Sequence, residues 1–319
     1  MSEKKAQPLV SVIMNCRNSA EFLREAIDSV FAQTWTAWEI IFWDNQSDDE
    51  SPDIAKSYIG REDGVLRYFR ANAVTSLGEA RNLAIAEASG KYLAFLDCDD
   101  LWLPEKLALQ VELFERNPEL GLVATDAGIL KNGKVISSMF KTARPARGRV
   151  FAQLVNAGWI AMSAAMIRFE ALKNLGQWFD PEFNVAEEAD LFYRIAHDWE
   201  LDFVDAPLTV WRVHENNTTF TRFEQFSDET RKILTKFEIL YPDFPQTWPD
   251  LVALLQRRAA FQKGVALWRK GKGGEARREI ARYLCGAKFI AFWLLTWLPG
   301  SFFDVLARAY LKLPKFMRR

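Results

Sequence analysis

Lys91–Pro104 reads KYLAFLDCDDLWLP. Its first half, Tyr92-Leu93-Ala94-Phe95-Leu96, is a short run of large apolar residues, the pattern of a strand buried on both faces. The run stops on three carboxylates, Asp97, Asp99 and Asp100. Like charges this close resist burial together, so a positive partner is expected among them. Open α/β sheets bind ligands beyond the carboxyl ends of their strands, and a divalent cation with a phosphate is the economical occupant. The same letters also fit a solvated acidic turn with an Asp capping the helix after Pro104. The surrounding chain has to decide.

Upstream, Leu9–Met14 reads as a first strand ending in Asn15-Cys16-Arg17-Asn18. Phe22, Leu23, Ala26, Ile27, Val30 and Phe31 then recur at the spacing of one helical face. Trp38–Trp43 is a second strand, and it stops on Asp44-Asn45-Gln46-Ser47-Asp48-Asp49. A short helix at Pro52–Ile59, a strand at Val65–Arg70 and a helix at Leu77–Ala88 lead into the quoted stretch. Strands alternating with helices predict an α/β fold with a doubly wound, mostly parallel sheet. Two of its strands end in Asp-rich turns and the first in Asn, and that repetition favours a ligand site over a chance acidic turn.

Downstream, a helix is expected at Glu105–Arg116, a strand at Leu120–Asp126, and a hairpin turn at Lys131–Lys134. A core strand with its approach loop follows at Ala157–Ile167, a helix at Ala186–His197, and a last strand at Leu201–Val213. From about Thr221 the pattern is helical throughout. The chain is accordingly divided into a catalytic domain, 1–220, and a C-terminal helical region, 221–319.

Of 319 residues, 49% are apolar and 26% charged, a globular profile, and the net charge is −1. The charge is unevenly spread: Gln256–Arg319 holds 15 Lys/Arg against 3 Asp/Glu, and the preceding residues hold 26 against 39. An acidic body with a basic tail implies two tasks. No nucleic-acid partner is expected. Cys16, Cys98 and Cys285 have no paired spacing, which argues against a disulfide framework or a zinc site and for a reducing, cytoplasmic compartment. The first residues, MSEKKAQPLV, lack the apolar segment of a signal peptide.

Taken in order, Val10-Ser11-Val12-Ile13 with Asn15, Glu39-Ile40-Ile41 with Asp44-Asn45-Gln46-Ser47 and Asp49, and Arg81-Asn82 leading to Gly90-Lys91-Tyr92 carry a resemblance. So do Leu96-Asp97 with Asp99-Asp100, Glu187-Glu188 with Asp190-Leu191 and Arg194, and Trp211-Arg212-Val213-His214. Over residues 8–219 the chain resembles the family 2 glycosyltransferases. That resemblance implies a glycosyltransferase A-type fold, a nucleotide-diphosphate sugar as donor (a UDP-sugar foremost), a Mn²⁺ or Mg²⁺ ion, and inversion at the anomeric carbon. It also implies a hydroxyl of a glycan or lipid-linked acceptor, in cell-surface polysaccharide synthesis.

Residue by residue, the resemblance makes Asp99 the metal ligand and brings Asp97 to the ribose or a metal-bound water. Asp100 is left to cap the next helix. Asp44 and Asn45 fall where the family contacts the nucleoside, Asn45 standing in place of a second Asp, and Asn15 lines the same pocket. Arg81 is directed at the base or pyrophosphate, with a helix-surface salt bridge as the alternative. Glu188 occupies the place of the base that takes the acceptor proton, with one methylene more than the usual Asp. Asp190 positions the helix or the acceptor. His214 is a further metal ligand, a phosphate contact or a structural residue, while His197 reads as a surface residue.

A nucleotidyltransferase would want a Gly-rich phosphate loop, and Asn15–Ala20 has no Gly. A phosphatase would place its Asp-x-Asp on the first strand. A non-catalytic nucleotide-sugar-binding assembly protein remains the other alternative. Phe289–Leu298 is too short to cross a bilayer, which takes about 20 residues. Its aromatics and the basic residues around it fit a segment, 289–319, lying on an anionic membrane at the inner face of the cytoplasmic membrane. The competing expectation is a packed helical subdomain with Trp293 and Trp297 buried.

Overall fold

The computed structural model describes residues 9–302 apart from 63, 142–143, 159, 215–216, 218–220 and 285–286. The chain forms two compact units, Met1–Asn217 and Thr218–Arg319.

In the first unit, β1 (Val10–Cys16), β2 (Trp38–Asp44), β3 (Val65–Arg70) and β4 (Tyr92–Phe95) pair in parallel in the order β3-β2-β1-β4. They alternate with α1 (Ala20–Phe31), α2 (Ser51–Lys56) and α3 (Leu77–Ala86). Val10, Val12 and Met14 of β1 and Tyr92 and Ala94 of β4 are wholly buried, as the unbroken apolar runs require. They share one core with Leu23, Ala26, Ile27 and Val30, the apolar face of α1. Gly90 is needed where the chain enters β4: a Cβ there would stand 2.5 Å from the backbone nitrogen of Ser11.

Beyond β4 the sheet becomes mixed. A two-residue strand, β5 (Leu101–Trp102), and α4 (Lys106–Arg116) precede β6 (Leu120–Lys131). The hairpin partner β7 (Lys134–Ser138) returns through Asn132 and Gly133, both at positive φ, as a two-residue turn demands. After α5 (Phe151–Ala157) come a 3-10 turn (Met162–Ala164), β8 (Ala165–Arg168), α6 (Phe169–Lys173), α7 (Glu187–Asp198) and β9 (Glu200–Arg212). The sheet order is completed as β4-β8-β6-β9-β5.

The sequence reading expected no strand between Leu96 and the helix at Glu105, and the position of β5 bends the molecule. Phe95 lies mid-sheet, and Leu101 lies four strand positions away at the edge, ~19 Å across a flat sheet. Residues 97–100 make a turn, with Asp100 N–H donating to the Asp97 carbonyl at 3.0 Å, so they cannot span that gap. The sheet curls until β9 and β5 stand over the carboxyl end of β4.

In the second unit, α8 (Phe226–Leu240), α9 (Phe244–Thr247), α10 (Pro249–Arg269), α11 (Gly273–Ala281) and α12 (Ala287–Leu295) follow one another. Val265, Trp268, Ala276, Ile280 and Phe292 form its buried cluster, with Trp293 half-buried against it. Trp297, expected to be buried in a packed subdomain, is 64% exposed. Residues 303–319 of the expected membrane segment lie outside the described residues. Among the described residues no helix is long and apolar enough to cross a membrane.

Candidate active site

The three parallel strands deliver their polar ends to one edge. Cys16 pairs with Asp44 in register, and the Leu96 N–H donates to the Ile13 carbonyl, which sets the Asp97–Asp100 turn beside the end of β1.

Within that turn the three aspartates face three ways. Asp100 points inward and is buried, accepting from the Ser163 hydroxyl at 2.6 Å and from the Arg212 backbone N–H at 3.0 Å. Burial, with the negative charges of Asp97 and Asp99, pushes its carboxyl well above the usual carboxylate range. It does not cap the following helix, whose cap position is Glu105. It is instead the anchor that fastens the turn to the 3-10 turn and to β9. Ser163 also accepts from the Asp97 backbone N–H at 3.1 Å, so one hydroxyl fixes both ends of the turn.

Asp99 points outward. Its Oδ2 lies 2.8 Å from His214 Nε2 and 3.4 Å from Asn217 Nδ2, while Asn217 Oδ1 accepts from the His214 backbone N–H at 2.7 Å. Arg212 completes the clamp: its Nε donates to the Asp99 carbonyl at 2.9 Å, its guanidinium pairs with Glu25 of α1 at 2.7 Å, and it stacks on Phe22. The histidine expected as a ligand and the aspartate expected as a ligand therefore meet, although 115 positions separate them.

Asp97 turns towards Arg81, whose NH2 lies 3.3 Å from its Oδ1, while NH1 donates to Glu187 Oε1 at 2.8 Å. Arg81 is 3% exposed, not the helix-surface residue of the alternative reading. Burial opposes its charge, but Glu187 and Asp97 outweigh that and raise its pKa. Desolvation and the negative charges of Asp99 and Glu187 raise Asp97 in spite of Arg81, although its side chain keeps an open side to water. The Arg81 bridge thus ties the metal-side turn to the start of α7, where the next residue is Glu188. Glu188 has no hydrogen-bonding partner among the described residues. Burial, and then the charge of Glu187, raise its carboxyl to about 8. Deeper in α7, Asp190 is fully buried and pairs with Arg194 at 2.7 Å; Arg194 also donates to the carbonyls of Gln177 and Trp178.

The nucleoside-side residues are already engaged by the protein. Asp44 accepts from the Ser47 N–H at 2.8 Å and the Tyr68 hydroxyl at 2.7 Å, and pairs with Arg70 at 3.3 Å. Asn45 is matched at both ends to Thr75, donating to its carbonyl at 3.0 Å and accepting from its N–H at 3.1 Å. A direct base contact from either would have to replace one of these bonds. Asn15 differs: its buried Nδ2 has no acceptor among the described residues, so it is an unpaired donor on this side of the site. His197 pairs with its neighbour Asp198 at 2.6 Å and takes no part in the site.

A Mg²⁺- or Mn²⁺-type ion fits the donor set. Cis ligands ~2.1 Å from an octahedral ion stand about 3.0 Å apart, close to the 2.8 Å between Asp99 Oδ2 and His214 Nε2. No group of three or more His, Cys, Asp or Glu able to hold a metal occurs among the described residues. Two protein ligands, with substrate phosphates and waters for the rest, is how such ions are commonly held.

A curled mixed sheet that gathers an asparagine at the end of β1 and carboxylates at the ends of β2 and β4 is the frame of an A-type glycosyltransferase. Residues 11–176 match the family described as Glycosyl transferase family 2, and the chain belongs to that family. An uncharacterised glycosyltransferase of Rickettsia felis is 30% identical over 218 residues, 68% of this chain and 35% of that protein, so the match spans about a third of its length. Among solved structures, S. aureus TarS superposes with a TM-score of 0.63 at 19% identity, over 89% of this chain and 50% of TarS. Mannosyltransferase PcManGT from Pyrobaculum calidifontis gives 0.61 at 18% identity, over 98% and 83%.

Proposed function

We propose that the chain transfers a sugar from a nucleotide-diphosphate sugar to a hydroxyl of a glycan or lipid-linked acceptor, with inversion, using Glu188 as the base. The observation that carries this is the Asp97–Arg81–Glu187 bridge. It sets Glu188, a carboxylate with no hydrogen-bonding partner among the described residues, beside the turn whose Asp99 meets His214. Displacement at the anomeric carbon needs a base on one side and a charge-stabilised diphosphate on the other.

Asp99 and His214 would hold a divalent ion, Mn²⁺ or Mg²⁺, which when bound offsets the negative charge that develops on the departing diphosphate. Asp97 takes the donor's ribose or a bound water, and Asn15 Nδ2 donates to the nucleoside. Asp44 and Asn45 shape the floor on which the base rests. TarS was solved with UDP and with UDP-GlcNAc, and PcManGT with GDP-Man and Mn²⁺. A UDP-sugar is the donor we favour here.

In this reading the first unit is catalytic, and the helical unit holds the enzyme against the inner face of the cytoplasmic membrane, where polysaccharide precursors are carried on lipid. Its support is the basic composition after Gln256 and the exposed apolar residues Ile290, Leu294, Trp297 and Phe302. Release of nucleoside diphosphate from a panel of nucleotide sugars, with Mn²⁺ and with EDTA, tests the proposal. Release from one donor class that EDTA abolishes is expected. No release from any donor overturns it.

A further inference from the structure

Two thiols that the transfer chemistry does not use lie under the metal-side turn. Cys16 ends β1, and Cys98 sits between Asp97 and Asp99. The parallel β1–β4 register pairs Ile13 with Phe95, and the Leu96 N–H then donates to the Ile13 carbonyl, so Cys98, two residues further on, lies beside the end of β1 that carries Cys16. Neighbouring strand backbones run ~4.8 Å apart, inside the Cα separations of roughly 4.4–6.8 Å that disulfides span. Both thiols belong to one buried cluster. Cys98 Sγ also donates to the Asn15 carbonyl at 3.3 Å. Both are unbridged and buried, at 1% and 4% exposure.

We propose that Cys16 and Cys98 form an oxidation site, in which a small hydroperoxide joins them as a disulfide and so weakens nucleotide binding. In the first step one thiol sulfur attacks a peroxide oxygen and breaks the O–O bond, and its proton passes to the departing hydroxide, giving a sulfenic acid and water. In the second, the other thiol displaces the sulfenic oxygen as water and the S–S bond forms. Two thiols lose two electrons, and hydrogen peroxide is reduced to two waters. Burial excludes bulky oxidants and selects one of about this size.

The consequence follows from where Cys98 stands. Bonded sulfurs lie about 2.05 Å apart, well inside the contact distance of unbridged sulfurs, so closing the bond draws Cys98 towards β1. Asp97 and Asp99 are its two chain neighbours, and they move with it. The Asp99–His214 and Asp97–Arg81 contacts, at 2.8 and 3.3 Å, have little slack to absorb that shift. A displacement of ~1 Å at such a site can cost about 10²-fold.

The test uses the full chain with Cys285→Ser, treated with hydrogen peroxide and then digested with trypsin. The expected product is one linked pair of peptides, Ala6–Arg17 with Tyr92–Lys106, that separates on reduction. UDP affinity in the presence of Mn²⁺, measured by calorimetry, should fall at least about tenfold on oxidation and recover with dithiothreitol. The Cys16→Ser/Cys98→Ser form of the same protein should be indifferent to peroxide. Recovery of Cys16 and Cys98 as free thiols or separate sulfinic acids overturns the site, whatever the nucleotide results. A linked protein with unchanged UDP affinity overturns its effect on binding. Absence of UDP binding before oxidation counts against the proposed donor, and leaves the peptide linkage to decide the oxidation site by itself.

Discussion

Glu188→Gln isolates the proposed base from everything else the site does. The substitution keeps size and polarity and removes the capacity to take a proton, so donor turnover should fall ~10²–10⁴-fold at pH 8. The size of the effect should itself depend on pH. Burial and Glu187 hold the wild-type carboxyl at about 8. A base works only when ionised, so a raised pKa withholds activity until the pH climbs to it. Roughly one molecule in ten then carries an ionised Glu188 at pH 7, and one in a hundred at pH 6, each pH unit corresponding to about 1.36 kcal/mol. Wild-type kcat/KM for the donor should therefore climb about tenfold per unit up to pH 8 and level off, and the gap to Glu188→Gln should close in the same proportion on the acid side. Glu187→Gln removes the adjacent like charge, so it should move that limb to lower pH. Nucleoside diphosphate release from pH 5.5 to 9 reads all three proteins. A gap that stays constant with pH, or a Glu188→Gln enzyme of normal turnover, refutes Glu188 as the base.

Asp99→Asn should nearly abolish transfer while leaving the far-ultraviolet circular dichroism unchanged; full activity in that variant, or in EDTA, would dispose of the metal role. Asp100→Ala should instead lower stability by about 1–3 kcal/mol, because the buried Ser163 hydroxyl and Arg212 N–H lose their acceptor. Asp100→Asn, which keeps an acceptor, should cost much less, and urea denaturation separates the two. Asp190→Asn leaves the buried Arg194 without its counter-charge and should destabilise by roughly 3–5 kcal/mol in the same assay. For the helical unit, the full-length protein should float with anionic vesicles more than with neutral ones. Leu294→Asp and Trp297→Asp, at positions 57% and 64% exposed, should reduce flotation without altering donor turnover.

What could be seen from the sequence and what could not divide along a physical line. The parallel half was legible because β1, β2 and β4 are largely apolar runs that end abruptly on Asn or Asp, a pattern that depends only on local order. The candidate carboxylates were legible for the same reason. Which aspartate faces which way was not, because the choice is made by residues far along the chain. Ser163 lies 63 positions from Asp100 and Arg212 lies 112, and nothing in the small-residue run around Ser163 marks it as the anchor. Asn217 was missed too, though a polar residue three positions after His214 is the kind of turn-forming signal that could have pointed to it. The edge strand Leu101–Trp102 is only two residues long, too short for periodicity to register. Its consequence is the largest of all, since it forces the sheet to curl and brings His214 to Asp99. A three-Asp motif read alone therefore offers three equivalent ligands. Folded, one is an anchor, one is held by an arginine bridge, and one stays outward with a histidine, and only that last arrangement suits a shared divalent ion.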